Sequence, residues 1–225
     1  VDCVAAEDTR HTLKLLNHLG ISTTCFAYHD HNEKNQVRKI LGKLNEGRDV
    51  ALVSDAGTPL ISDPGYALVK VCRDENVDVV PIPGVSAVIT ALCAAGLPTD
   101  RFSFEGFTPA KQSARISFFE ALKTDPRTLV FYESPRRVVD ALVDMASVFG
   151  ENREIVLAKE LTKSFERFRA GTIVEVLHWL RSDDVNQKGE MVVMVKGDIV
   201  PNDQEIPQEA MDLLSLLMKE LPLKK

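Results

Sequence analysis

The chain has 225 residues, 44% of them hydrophobic and 27% charged, and a formal net charge of −6. This is the composition of an ordinary soluble globular protein with one large or two modest domains. The acidic balance argues against a protein that coats nucleic acid through a broad basic surface, and no run approaches the ~18 apolar residues of a membrane span. No basic start and apolar stretch mark a signal peptide, so the expected location is the cytoplasm. Cys3, Cys25, Cys72 and Cys93 lie far apart without a Cys-x-x-Cys spacing and read as buried, reduced thiols.

The chain opens at Val1 inside an apolar run. From Thr9 to Leu19, Leu13, Leu16 and Leu19 recur at helical spacing, and Gly20 supplies a left-handed stop. A strand pattern covers Thr24 to Tyr28. A helix from Asn32 to Glu46 gathers Val37, Ile40, Leu41 and Leu44 on one face and stops at Gly47. Val50 to Val53 is a continuous apolar run of the kind buried on both faces of a parallel sheet. Asp63 followed by Pro64 predicts an N-cap and first turn for a helix reaching Glu75. Val77 to Ile82 predicts a strand. A helix from Ser86 to Ala95, apolar all round, is expected in the middle of the fold.

Around Glu105 to Pro109 the chain is expected to cross into a second domain. Arg127 to Tyr132 predicts a strand, Ser134-Pro135 the cap of a helix to Val148, and Glu154 to Ala158 another strand. Phe165 to Arg169 reads as extended, Thr172 starts a helix through Leu180, and Met191 to Val195 closes the set. The expectation is an α/β fold of two domains, 1–105 with a parallel sheet and 106–200 with a mixed sheet and helices on both faces. Residues 201–225 are expected to complete the polar linker that starts at Asp198 and to add an amphipathic helix that the end of the chain cuts short.

Ligands bind beyond the carboxyl ends of strands in an open parallel sheet, and small residues there let backbone approach them closely. Ser54, Asp55, Ala56, Gly57, Thr58 and Pro59 occupy such a position, as either a ligand loop or a tight turn capped by Asp55. Pro83-Gly84-Val85-Ser86-Ala87 is the second such segment, where Ser86 and Ala87 either meet a cofactor or form an ordinary helix start. No G-x-G-x-x-G or P-loop pattern is present, so neither a dinucleotide fingerprint nor a nucleoside triphosphatase is supported. His29-Asp30-His31-Asn32-Glu33 lacks a third ligand at convincing spacing and reads as a polar rim or helix cap, with no metal expected.

Several blocks together carry a resemblance. They are Ala6-Glu7-Asp8-Thr9-Arg10-His11-Thr12, His29 to Glu33, Val53 to Pro59, Asp63-Pro64-Gly65, Leu97 to Phe102, Phe131-Tyr132-Glu133-Ser134 and Glu160-Leu161-Thr162-Lys163. In order and over nearly the whole chain, they resemble the bacterial ribosomal RNA small-subunit methyltransferase I family, a branch of the tetrapyrrole methylase superfamily. The resemblance implies a two-domain fold with S-adenosylmethionine held between the domains, usually in a homodimer. It further implies, as acceptor, the ribose 2′-hydroxyl of a cytidine in the decoding region of 16S RNA within the small subunit. The family begins with a strand and a Pro-x-Pro-Ile-Gly-Asn loop that this sequence does not show, and it continues beyond the C-terminal end; either those segments belong to the protein beyond this sequence or the site is incomplete without them.

A ribose hydroxyl is a poor nucleophile until its proton leaves, so a base is sought near the blocks. Glu7, Asp8, Glu133 and Glu160 with Lys163 are the candidates. Glu7 and Asp8 can equally cap a helix, and Glu160 with Lys163 can be a local ion pair. Arg10, Arg136, Arg137 and Lys159 are the positive groups for RNA phosphates, although Arg136 and Arg137 also fit a solvated helix face. Two other readings compete: a methyltransferase for a small tetrapyrrole-type molecule, and a non-catalytic cofactor-binding module.

Overall fold

Cys3, Val4, Ala5 and Ala6 are small, apolar and buried on both faces, which is what the central strand of a parallel sheet requires. They form β1 (Cys3–Ala6), flanked by β2 (Thr24–Ala27) and β3 (Val50–Val53) in the order β2-β1-β3, all parallel. Between them run α1 (Thr9–His18) and α2 (Glu33–Asn45), followed by α3 (Tyr66–Asp74) and α4 (Ala87–Ala95). Val37 and Ile40 from α2 and Leu68 and Cys72 from α3 pack with Ala5 and Tyr28 into one core. The computed structural model describes residues 1–198 and 208–220. By its internal contacts the chain divides into Val1–Ala94 and Ala95–Lys225.

Three expectations for the first unit need correction. Residues 77–82 form no strand, because no strand among the described residues pairs with them. Val77 and Val79 pack on the core while Val80 and Ile82 stand 74% and 80% exposed. The side-chain alternation of a strand is present without its ladder. The helix expected from Asp63-Pro64 starts at Tyr66, after a turn in which Leu60 and Ser62 take positive φ and Gly65 reaches φ 142°. That φ strains any L side chain, and a Cβ on Gly65 would also press on Leu60 Cδ1 at 2.6 Å and Leu52 Cδ2 at 2.9 Å, so glycine suits this turn against β3. Finally, α4 buries Val88, Ala91, Leu92 and Ala95 but exposes Ile89 and Cys93, so it is not buried all round.

The second unit is built on a mixed sheet of β4 (Phe102–Phe107), β5 (Thr128–Glu133), β6 (Glu154–Lys159), β7 (Arg167–Thr172) and β8 (Met191–Val195). Their order is β4-β5-β8-β6-β7, with β4 and β5 parallel and the remaining neighbours antiparallel. Leu129, Phe131, Ile155, Leu157, Val193 and Val195 share one face and pack on α5 (Gln112–Leu122), α6 (Val138–Phe149) and α7 (Ile173–Ser182). Thr172 starts α7 as expected, through a capping box with Glu175. The architecture is α/β with a parallel sheet followed by a mixed one, as the alternation of strands and helices predicts.

The sequence reading missed β4 and α5, and its domain boundary at 105/106 falls inside β4. A register shift between Phe104 and Gly106 breaks the alternation of β4. In α5 the charged Arg115 occupies a buried position, which interrupts the apolar period. β7 runs later than Phe165 to Arg169, and α6 begins at Val138 after a turn in which Arg137 and Val138 N–H both donate to Ser134 O. Of the polar linker, residues 199–207 lie outside the described residues, and the expected terminal helix is α8 (Gln208–Glu220).

At the end of β8, Gly197 fits where nothing larger can. A Cβ there would fall inside the Pro126 carbonyl and 2.7 Å from Arg127 O, and these backbone atoms lead directly into β5. Gly197→Ala is expected to destabilise the second unit by about 1–3 kcal/mol, the range for overpacking a tight site. An unchanged midpoint in urea unfolding would show that the turn at 125–127 yields freely.

Candidate active site

The register sets Ala6 opposite both Ala27 and Val53, so Glu7, Tyr28 and Ser54 leave their strands at one flush edge. This carboxyl edge is where open parallel sheets receive ligands. Asp8 is the N-cap of α1, accepting a hydrogen bond from Arg10 N–H at 2.8 Å. The Arg10 guanidinium also donates to both Asp8 oxygens, at 3.0 Å to Oδ1 and 2.5 Å to Oδ2. These bonds, first the guanidinium and then the backbone N–H, hold the Asp8 carboxyl well below the usual range.

Asp55 ties the edge together. Its Oδ1 accepts from Asp8 N–H at 3.1 Å, its Oδ2 lies 3.2 Å from His11 Nδ1, and its own N–H donates to Glu7 Oε2 at 3.0 Å. Glu7, Asp8 and Asp55 are thus brought together. His11 joins them although no role was foreseen for it; its position three residues beyond the N-cap, on the same side of the helix, was the available signal.

The two small-residue loops also meet. Ser54 Oγ donates to Gly57 O at 3.1 Å, and Thr58 Oγ1 donates to Val85 O at 2.8 Å, joining 54–59 to the segment that leads into Ser86 and Ala87. Gly57 has φ 80°. The His29–Glu33 stretch forms a turn around Asn32, whose Oδ1 accepts from His29 N–H and whose Nδ2 donates to Ala27 O. Among the described residues, the group with metal-like spacing is Asp8, His11 and Asp55, with ligand atoms within 4.8 Å of one another. Both Asp8 oxygens already serve Arg10, which leaves that group short of a free carboxylate.

Asp63 was also missed as a member of this edge. Burial and then the neighbouring carboxylates of Glu7, Asp55 and Asp30 push its carboxyl up, against a hydrogen bond from Ser54. A raised carboxyl favours folding while protonated, below the usual carboxylate range, and that contribution is lost as pH rises through the folded value. Asp63→Asn is therefore expected to raise thermal stability at pH 7, with the gain shrinking to nothing as pH falls below the usual carboxylate range. A gain that persists in acid would assign the effect to packing instead.

The other predicted residues lie in the second unit. Glu133 is buried, with Oε1 accepting from Ser134 N–H at 2.7 Å and from Arg137 at 3.0 Å, and Oε2 from the Thr108 hydroxyl. Its oxygens are occupied, and Arg137 is spent on them. A polar hollow of about 280 Å³ opens beside Arg137 toward Gln112, Arg115 and Asp144; Arg115 and Asp144 pair with each other. Glu160 accepts from Glu190 N–H and from Lys163, which hold it below the usual range, and Lys163 is raised by Glu160 and Glu190. Lys163 thus lies between the carboxylates of Glu160 and Glu190, which favour its charged form. Lys159 needs correcting as an RNA contact: it is buried, and its ammonium donates to Val185 O at 2.7 Å and Asn186 O at 3.3 Å. Arg136, Arg167 and Arg169 are exposed, with no ion pair among the described residues. The alternation Arg167-Phe168-Arg169 in the expected extended segment was the signal for the last two.

Residues 1–177 match the family of tetrapyrrole (corrin/porphyrin) methylases. The ribosomal RNA small subunit methyltransferase I of Vibrio cholerae is 54% identical over 225 residues, all of this chain and 78% of that protein. That of Escherichia coli O157:H7 is 52% identical with the same coverage. Among solved structures, the methyltransferase CobJ superposes with a TM-score of 0.62 at 15% identity, covering 89% of this chain and 85% of that one. Uroporphyrin-III-C-methyltransferase from Thermus thermophilus gives 0.58 at 16%, covering 87% and 82%. At that identity the two structures speak for the fold alone. The full-length relatives and the family match go further: the chain belongs to the tetrapyrrole methylase family, in the branch of the ribosomal RNA small subunit methyltransferases I, and is a methyltransferase with S-adenosylmethionine as its methyl donor.

Proposed function

We propose that the protein methylates the ribose 2′-hydroxyl of a cytidine in the decoding region of 16S ribosomal RNA, acting in the cytoplasm on the small subunit. The observation that carries this reading is the 52–54% identity, along the whole chain, to proteins named for that substrate class. The donor set at the carboxyl edge suits the cofactor. The segment opening α4 offers backbone N–H groups to a carboxylate, and the carboxylates of the edge can accept from an ammonium or ribose hydroxyls. Ser54 to Pro59, Ser86 and Ala87 would hold it, with Gly57 and Gly84 leaving room for close approach. Bound there, S-adenosylmethionine supplies an electrophilic methyl on a sulfonium.

The chain's own residues then have to position an RNA hydroxyl and remove its proton. Arg10, Arg136, Arg167 and Arg169, in or near the signature blocks, are exposed groups suited to phosphate oxygens, since guanidinium forks match them. With a net charge of −6, counterion release supplies little affinity, so the substrate is the assembled subunit rather than free RNA. The test is methyl transfer from labelled cofactor to purified small subunits lacking the modification. The product should resist alkaline cleavage at one cytidine, and protein-free RNA should react poorly. Methylation of a porphyrinoid instead would favour the small-molecule reading, and cofactor binding without transfer to either would favour a binding module.

A homodimer belongs to the same reading. Leu213, Leu216 and Met218 of α8 stand 57–59% exposed, apolar surface that a second copy would cover. Sedimentation at micromolar concentration should give twice the chain mass, and a monomer there would remove the dimer from the proposal.

A further inference from the structure

We infer that His11 is the general base of the methyl transfer and that Asp55 is its positioning residue. The inference rests on the proposed ribose-methylating function and names the group that removes the proton. The four carboxylates that the sequence offers as bases are each engaged: Glu7 by Asp55 N–H, Asp8 by the Arg10 guanidinium, Glu133 by Thr108, Ser134 and Arg137, and Glu160 by Lys163 and Glu190 N–H; Asp63, at the same edge, is held toward its protonated form by burial and the carboxylates around it. A carboxylate that already accepts hydrogen bonds from cations or backbone is a weaker base than a free one. His11 differs. Its Nδ1 faces Asp55 Oδ2 at 3.2 Å, its ring is 60% exposed, and no partner for Nε2 exists among the described residues.

The pairing decides the tautomer. Asp55 Oδ2 can only accept, so Nδ1 carries the proton and Nε2 presents its lone pair outward. Asp55 is itself held by Asp8 N–H on its other oxygen and by its own N–H on Glu7, so the orienting carboxylate cannot swing away. This is the logic by which a buried or braced carboxylate orients a histidine base in unrelated enzymes. The pair stands at the flush carboxyl edge of the parallel sheet, in the same unit as the loop 54–59 that follows β3.

The step balances without another reactant. His11 Nε2 takes the proton of the acceptor hydroxyl while that oxygen forms a bond to the methyl carbon. The carbon–sulfur bond breaks with its electron pair left on sulfur, so the sulfonium becomes a neutral thioether. The imidazolium that results is stabilised by Asp55 and returns its proton to water. Of the charged groups around His11, Asp55 from the loop after β3 lies at 3.2 Å and Asp8 at the start of α1 acts on it electrostatically; Glu7 and Asp63 stand at the same edge, coupled to Asp55. β2, which also packs against α1, brings only Cys25 as a titratable group.

The experiment measures methyl transfer to unmodified small subunits across pH, with cofactor affinity by calorimetry, for the whole protein and its variants. His11→Ala is expected to lower kcat about 100-fold or more, the usual weight of a general base, and to abolish the acid limb of the pH profile. Cofactor affinity should stay within about twofold, and added imidazole should restore part of the turnover. Asp55→Asn should lower kcat too, and at saturating cofactor the double variant should be no slower than His11→Ala, because the two act as one unit. His18→Ala, on the same helix, should behave as wild type. Retention of turnover and of the acid limb in His11→Ala overturns the inference. So does a loss matched by lost cofactor affinity without imidazole rescue, which marks a structural role. If the wild-type protein binds cofactor but never methylates subunits, the proposed function fails and the base assignment fails with it.

Discussion

Arg115→Ala is expected to destabilise the second unit by about 3–5 kcal/mol, the cost of stranding a buried charge. Arg115 and Asp144 are each 4% exposed and meet at 2.5 and 2.8 Å, joining α5 to α6. Gln112 donates to the other Asp144 oxygen at 3.0 Å, and Arg115 reaches back to the carbonyls of Pro109 and Ala110. With the guanidinium gone, Asp144 keeps one neutral donor inside a low-dielectric site. Against a total stability of about 5–15 kcal/mol, that loss is large enough to leave the unit partly unfolded. Replacing both partners, Arg115→Met with Asp144→Leu, is expected to cost far less, since it removes the buried charges together. The chain's single tryptophan, Trp179, packs against the core of this unit, so its fluorescence in urea reports the transition directly. A loss under about 1 kcal/mol for Arg115→Ala would mean that water reaches the pair.

Gly57→Val is expected to weaken cofactor binding by about five- to thirtyfold while leaving the second unit's unfolding unchanged. Space is not the obstacle, because a Cβ on Gly57 would meet only Val85 O, at 3.7 Å. The obstacle is φ 80°, a left-handed conformation that costs an L-residue about 1–2 kcal/mol, with β-branched residues at the upper end. The free loop relaxes out of that conformation, and binding must restore it, so the strain appears in the dissociation constant at tenfold per 1.4 kcal/mol. Gly57→Asn should be milder, since asparagine tolerates this region. Calorimetry giving wild-type affinity for Gly57→Val would remove the loop from the cofactor site.

What sequence reveals here is the part of the fold written in local periods. The leucines of α1, the apolar face of α2 and the Thr172 capping box are legible because each repeats or closes within one or two turns. α5 was hidden because its buried face carries Arg115, whose partner Asp144 lies 29 residues away. The strand expected at 77–82 has the right side chains, yet a strand exists only through a neighbour's hydrogen bonds. At the site the same division holds. Small residues after Val53 mark a strand-end loop, but the Asp55 clasp joins residues 44 to 48 positions apart, and nothing local announces it. Lys159 looked available to RNA because a lysine in a strand gives no hint that the carbonyls of Val185 and Asn186 await its ammonium.

The unladdered segment at 77–82 also bears on how the protein behaves in concentrated solution. Val77 N–H is bonded to Cys72 O and Val79 O to Arg73, but the stretch after Val79, with Val80 and Ile82 outward, is of the kind to which an extended segment of another molecule can add, the first event of ordered aggregation. Two residues oppose this. Pro81 has no N–H to offer an incoming strand, and Asp78 sets a charge within the apolar run. Pro81→Val is accordingly expected to raise the tendency of this segment to pair with another chain, which light scattering at high protein concentration would register.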